Sequence, residues 1–144
     1  MDNERKFETG QVIHVVDCWG TDKGTQAFEA YAEIVYVNEE KEAFDAVLYG
    51  DTYQTYSFKD YGRLFFDKKE EAQNVATKLP KPTSIVYQVI GKRVYNKKVV
   101  GIWTKSVDDT IDLIVCLNRG KDVSIKEIGI SLFLDESEAR KNNK

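Results

Sequence analysis

The chain has 144 residues, 42% hydrophobic and 31% charged, with a formal net charge of −3. That is the composition of an ordinary soluble folded chain, and only two prolines and nine glycines argue against a disordered one. No run of about 18 apolar residues occurs, so no membrane-spanning helix is expected, and Met1–Lys6 lacks the apolar core of a signal peptide.

Taken in chain order, Val12–Val16 is rich in β-branched residues and reads as a strand. Asp17–Glu29, with Gly20, Asp22, Gly24 and Thr25, reads as a long loop. Tyr31–Val37 is a second strand, Asn38–Lys41 a polar turn and Ala43–Tyr49 a third strand. Gly50 and Asp51 turn the chain into Tyr53–Phe58, and Arg63–Phe66 follows. Asp67 with Glu70 then has the form of a helix start, and the helix stops before Pro80 and Pro82. Past this stiff boundary, strands are expected at Ile85–Ile90, Val99–Trp103, Ile111–Leu117, Val123–Ile125 and Leu132–Leu134, with the earlier long loop shortened to Gly91–Lys98. Asp135 and Glu138 start a last short helix.

The two halves carry one pattern twice. Ser57, Lys59, Asp60, Gly62, Phe66 and Glu71-Ala72 recur in order as Ser124, Lys126, Glu127, Gly129, Phe133 and Glu138-Ala139. Such a repeat specifies architecture before it specifies activity. The expected fold is mainly β: two pseudo-repeated units, residues 8–79 and 83–144, each a small barrel or sandwich ending in a short helix. Units of that size are marginal alone, so they are expected to pack together.

The stretches Ser57–Ala72 and Ser124–Ala139, with their aromatic last strand and acidic helix start, resemble small uncharacterised proteins of Gram-positive bacteria and their phages that carry tandem SH3-like barrels. The resemblance implies SH3-like units and brings no settled activity with it. The acids Glu33, Glu39, Glu40, Glu42, Asp45 and Asp51 form a negative surface that can mimic a nucleic-acid backbone and occupy a basic cleft. With the likeness to phage-type proteins, this points to an accessory or inhibitor protein of a phage or mobile element, acting on a host protein such as a defence factor.

Chemistry-bearing residues are sparse. His14 is the single histidine, expected mid-strand, and Cys18 is the one thiol close to it in sequence. No phosphate-binding glycine loop, Cys-x-x-Cys pair or metal-ligand spacing occurs, so no cofactor, no metal and no catalysis are expected. Cys18 and Cys116 read as free thiols of a reducing cytoplasm.

Binding residues are easier to find. Tyr49, Tyr53, Tyr56 and Tyr61 crowd one hairpin region and Trp19 lies in the expected loop. Tyr and Trp give large contact area at low entropic cost. Glu39, Glu40 and Glu42 add an acidic turn beside them. Together these point to a protein partner. A rival surface lies in the segment without acids between Glu71 and Asp108, where Lys92, Arg93, Lys97, Lys98, Trp103 and Lys105 interleave cations with rings. That is the composition of a nucleic-acid contact. Opposite charge in the two halves also opens self-association.

Overall fold

The computed structural model describes residues 6–141. It is mainly β, with two five-stranded antiparallel sheets of identical topology. In the first sheet, β1 (Val12–Thr21), β2 (Gly24–Asn38), β3 (Ala43–Leu48), β4 (Thr52–Ser57) and β5 (Phe65–Phe66) lie in the order β4-β3-β2-β1-β5, and α1 (Lys69–Lys78) follows. In the second, β6 (Ile85–Ile90), β7 (Arg93–Val107), β8 (Thr110–Leu117), β9 (Val123–Ser124) and β10 (Leu132–Phe133) run β10-β6-β7-β8-β9, with α2 (Glu136–Lys141) after them. Read from the opposite edge, the second order is the first. The expected barrels are not seen: neither sheet closes on itself.

The duplication extends to single hydrogen bonds. Ser57 and Ser124 each cap a 3₁₀ turn, their hydroxyls accepting from the amides of Lys59 and Lys126 at 3.3 and 3.1 Å. Gly62 and Gly129 follow at φ +85° and +89°, where an L side chain is strained. Their amides donate to the carbonyls of Phe65 and Leu132 at 2.9 and 2.8 Å. Buried Ala72 and Ala139 close the pattern on the two helices. From Ser57/Ser124 through Ala72/Ala139 the separation is a constant 67 positions. That register places Asp135 opposite Lys68, and Asp67 opposite Leu134. Accordingly, Asp135 accepts from the Ser137 amide at 3.1 Å as a helix cap, whereas Asp67 accepts from the Tyr61 hydroxyl at 2.7 Å.

Two expected loops are strands. Asp17–Glu29 is the continuation of β1, a turn at Asp22 and Lys23, and the start of β2. Likewise only Gly91 and Lys92 turn the chain between β6 and β7. A glycine inside a strand marks a close backbone approach as readily as a turn. At Gly24, φ +142°, a Cβ would stand 2.6 Å from the Val100 carbonyl oxygen and 2.9 Å from Pro82.

Compact units comprise Met1–Asp17, Phe28–Thr77 and Ser106–Ile111 in one case, and Cys18–Ala27, Lys78–Lys105 and Asp112–Lys144 in the other. The first has an aromatic core. Phe7 lies 5.3, 5.0 and 5.4 Å from the rings of Phe44, Phe58 and Phe65, and Phe44 meets Phe65 edge-on at 5.0 Å. Such pairs add about 0.5–1.5 kcal/mol each beyond the area they bury. The second unit is mostly aliphatic, with Val86, Val99, Ile102, Leu113, Val115 and Leu132 beside the ring of Phe133 in its buried set. At repeat-equivalent positions, Tyr56, Phe58, Tyr61 and Phe65 become Val123, Ile125, Ile128 and Leu132.

Candidate functional site

Strand alternation sorts the first sheet into two faces. Ala32, Ile34, Phe44, Ala46, Leu48 and Tyr56 are buried on one. The other carries Tyr31, Glu33, Val47 and Tyr53, with Tyr36, Asp45 and Thr55 beside them. The register is explicit: Glu33 pairs with Val47 and Val47 with Tyr53, forming one row across three strands. A bulge between Ile34 and Tyr36 then shifts the alternation by one residue, so that Tyr36 pairs with Asp45 and Asp45 with Thr55 in the next row. The Thr55 hydroxyl donates to Asp45 Oδ1 at 2.6 Å and holds that carboxylate in place.

Three tyrosines on this face are well exposed, Tyr31 at 63%, Tyr36 at 57% and Tyr53 at 69%. Large rings left open to water are the residue type that contact surfaces favour. Within the same unit, Tyr36, Asp45 and Thr55 also line a cleft of about 460 Å³, with Lys41, Asp108 and Asp109 among its other walls. Asp108 and Asp109 sit at φ +52° and +71°, a left-handed pair in the two-residue turn joining β7 to β8.

The aromatic residues singled out in the sequence divide. Tyr53 is on the open face. Tyr56 is a correction: its ring is fully buried against Phe44 and Phe65, and its hydroxyl donates to Gln54 Oε1 at 2.7 Å. The reason is parity. Tyr56 pairs with buried Phe44, so it shares the core side of the sheet. Tyr49, at φ +58°, donates its hydroxyl to buried Asp17 at 2.8 Å. Tyr61 packs on Phe7 and Phe65 while its hydroxyl holds Asp67. Trp19, 40% exposed on β1, belongs to the other compact unit. Glu39, Glu40 and Glu42 are exposed in the β2–β3 turn, as expected of a polar turn. Sequence reasoning missed Tyr31 and Tyr36. The signal was there, in the small or apolar Ala30, Ala32 and Ile34 that alternate with Tyr31 and Glu33.

The basic residues also divide. Lys92 lies in the β6–β7 turn and the rest on or along β7. Lys97 pairs with buried Val86 and is half-buried, while Lys98 pairs with exposed Ile85 on the opposite face. Arg93 shares Lys97's face, and Trp103 and Lys105 are exposed further along the strand. The cations that look continuous in sequence are split by the pleat.

His14 Nδ1 lies 2.9 Å from Glu29 Oε2 in a part-buried pair. Burial, reinforced by Asp122, pushes the Cys116 thiol up to about 11, which makes it a poor nucleophile near neutrality. Among the described residues no cluster of three His, Cys, Asp or Glu side chains is arranged to hold a metal ion. Nor is any helix there long and apolar enough to cross a membrane. No family model, no curated protein and no solved structure matches the chain.

Proposed function

We propose that the protein is a non-catalytic binding module whose first unit contacts a partner protein through the outer face of its sheet. The observation that carries this reading is the exposure of Tyr31, Tyr36 and Tyr53 together on one rigid, ladder-held surface. An accessory or inhibitor role follows naturally from such a surface, since occupying a partner is all it has to do. Five antiparallel strands with a 3₁₀ turn before the last one, repeated in both sheets, support the SH3-like part of the proposal.

The test is capture of partners by immobilised protein, comparing the wild type with a Tyr31→Ala/Tyr53→Ala double variant. Both side chains are solvent-facing, so the fold is retained and partner recovery falls. Partners recovered equally by both proteins would remove the reading.

A second reading, nucleic-acid binding by the other unit, is favoured by its charge: 14 Lys and Arg against 7 Asp and Glu, net +7. It predicts affinity that falls steeply as salt rises. Absence of binding to single-stranded DNA at low salt would dispose of it.

A further inference from the structure

The first unit is as acidic as the second is basic. It holds 17 Asp and Glu against 7 Lys and Arg, net −10, which with the +7 of the second gives the chain's −3. On the tyrosine face each of two rows carries one ring and one acid. Glu33 shares a row with Tyr53 across Val47, and Asp45 stands between Tyr36 and Thr55. The cleft at this end continues the theme, with Asp45, Asp108 and Asp109 against the single cation Lys41 among its lining residues.

We infer that this face receives an extended, arginine-bearing segment of the partner, its guanidinium groups stacked on Tyr53 and Tyr36 and paired with Glu33 and Asp45. The inference rests on the contact reading above and adds the partner's chemistry. Charge complementarity selects a basic partner. The rings select arginine over lysine, because a planar guanidinium stacks on an aromatic face while forking to a carboxylate, whereas an ammonium is a compact, strongly hydrated point charge. Spacing selects an extended chain. Asp45 and Val47, which anchor the two rows, are two residues apart on β3, or about 6.6–6.8 Å. Alternate side chains of an extended segment repeat at that same distance. Tyr53 lies on β4, an edge strand, and is therefore reachable from the side as well as from above.

The experiment is fluorescence anisotropy at low ionic strength with fluorescein-labelled nona-arginine and nona-lysine. Nona-arginine is expected to bind about threefold or more tighter than nona-lysine. Tyr53→Ala and Tyr36→Ala each weaken it about two- to fivefold, while Tyr53→Phe, which keeps the ring, does not. Glu33→Gln weakens it by a similar factor, whereas Glu70→Gln, removing the same charge from α1, leaves it unchanged. Equal affinity for the two peptides, or equal effects of Glu33→Gln and Glu70→Gln, would reduce the interaction to bulk charge and overturn the assignment. Salt-sensitive dimerisation in sedimentation that Tyr53→Ala abolishes would also overturn it, because the face would then be occupied by a second copy. If captured partners depend on Tyr53 but nona-arginine does not bind, the contact reading stands and the arginine assignment falls. If nona-arginine binds through Tyr53 and no captured protein does, the contact reading falls instead.

Discussion

Replacing the two equivalent serines with alanine is expected to give unequal losses, although their caps are alike. Ser57 contributes one hydrogen bond at its 3₁₀ turn, accepting from the Lys59 amide at 3.3 Å. A cap of this type is worth about 0.5–1 kcal/mol. Ser124 accepts from Lys126 at 3.1 Å in the same way, but its hydroxyl also donates to Asp112 Oδ2 at 2.7 Å. Asp112 is only 6% exposed, and a hydrogen bond to such a charged group contributes about 1.5–3 kcal/mol. Ser124→Ala is therefore expected to cost about 2–4 kcal/mol and Ser57→Ala about 0.5–1 kcal/mol. With a urea m-value of about 2 kcal/mol/M, the midpoints fall by about 1–2 M and about 0.3–0.5 M. Far-UV circular dichroism follows the whole chain. Tryptophan fluorescence reports the second unit, which contains both Trp19 and Trp103. Equal losses for the two variants would refute the role given to the Ser124–Asp112 bond, and with it the premise that one shared turn was reinforced in only one copy.

Tyr56→Ala is expected to cost about 3–5 kcal/mol, since the ring is wholly buried, while Tyr53→Ala changes stability by less than about 0.5 kcal/mol; chemical denaturation of the pair distinguishes a core ring from a contact ring three residues away. The Cys116 thiol, held protonated by burial and then by Asp122, should react with iodoacetamide far more slowly than a free thiol at pH 8.5, and Asp122→Asn should speed it. Because the folded thiol binds its proton more tightly than the unfolded one, this group's contribution to stability is present below pH 9 and is lost between pH 9 and about 11. Urea midpoints that rise across that interval in the wild type relative to Cys116→Ser would contradict the sign.

The repeat was legible in the sequence because its shared residues answer to local backbone chemistry. A serine must be there to cap the 3₁₀ turn, a glycine to adopt φ near +85°, and an alanine to sit buried on the helix. What was hidden depended on partners far away in the chain. Gly20, Gly24 and Thr25 have the composition of a loop, yet they belong to strands, and Gly24 is small because the Val100 carbonyl and Pro82 crowd it. The side that Tyr56 faces is decided by its pairing with Phe44, twelve residues earlier, and the outward turn of Tyr36 by a bulge that no composition announces. Strand count and spacing suit a barrel or a sandwich, and barrel closure was expected from the resemblance; neither determines whether the edges meet.

Four rings in one copy give way to four branched aliphatic side chains in the other, at matched positions, with the turns around them unchanged. At those four positions the repeat therefore accepts rings or aliphatic side chains alike, provided the corners are kept. Engineering can exploit that freedom: large apolar side chains can be exchanged at these four positions, whereas the serine and the glycine that bend the chain are the parts to leave alone.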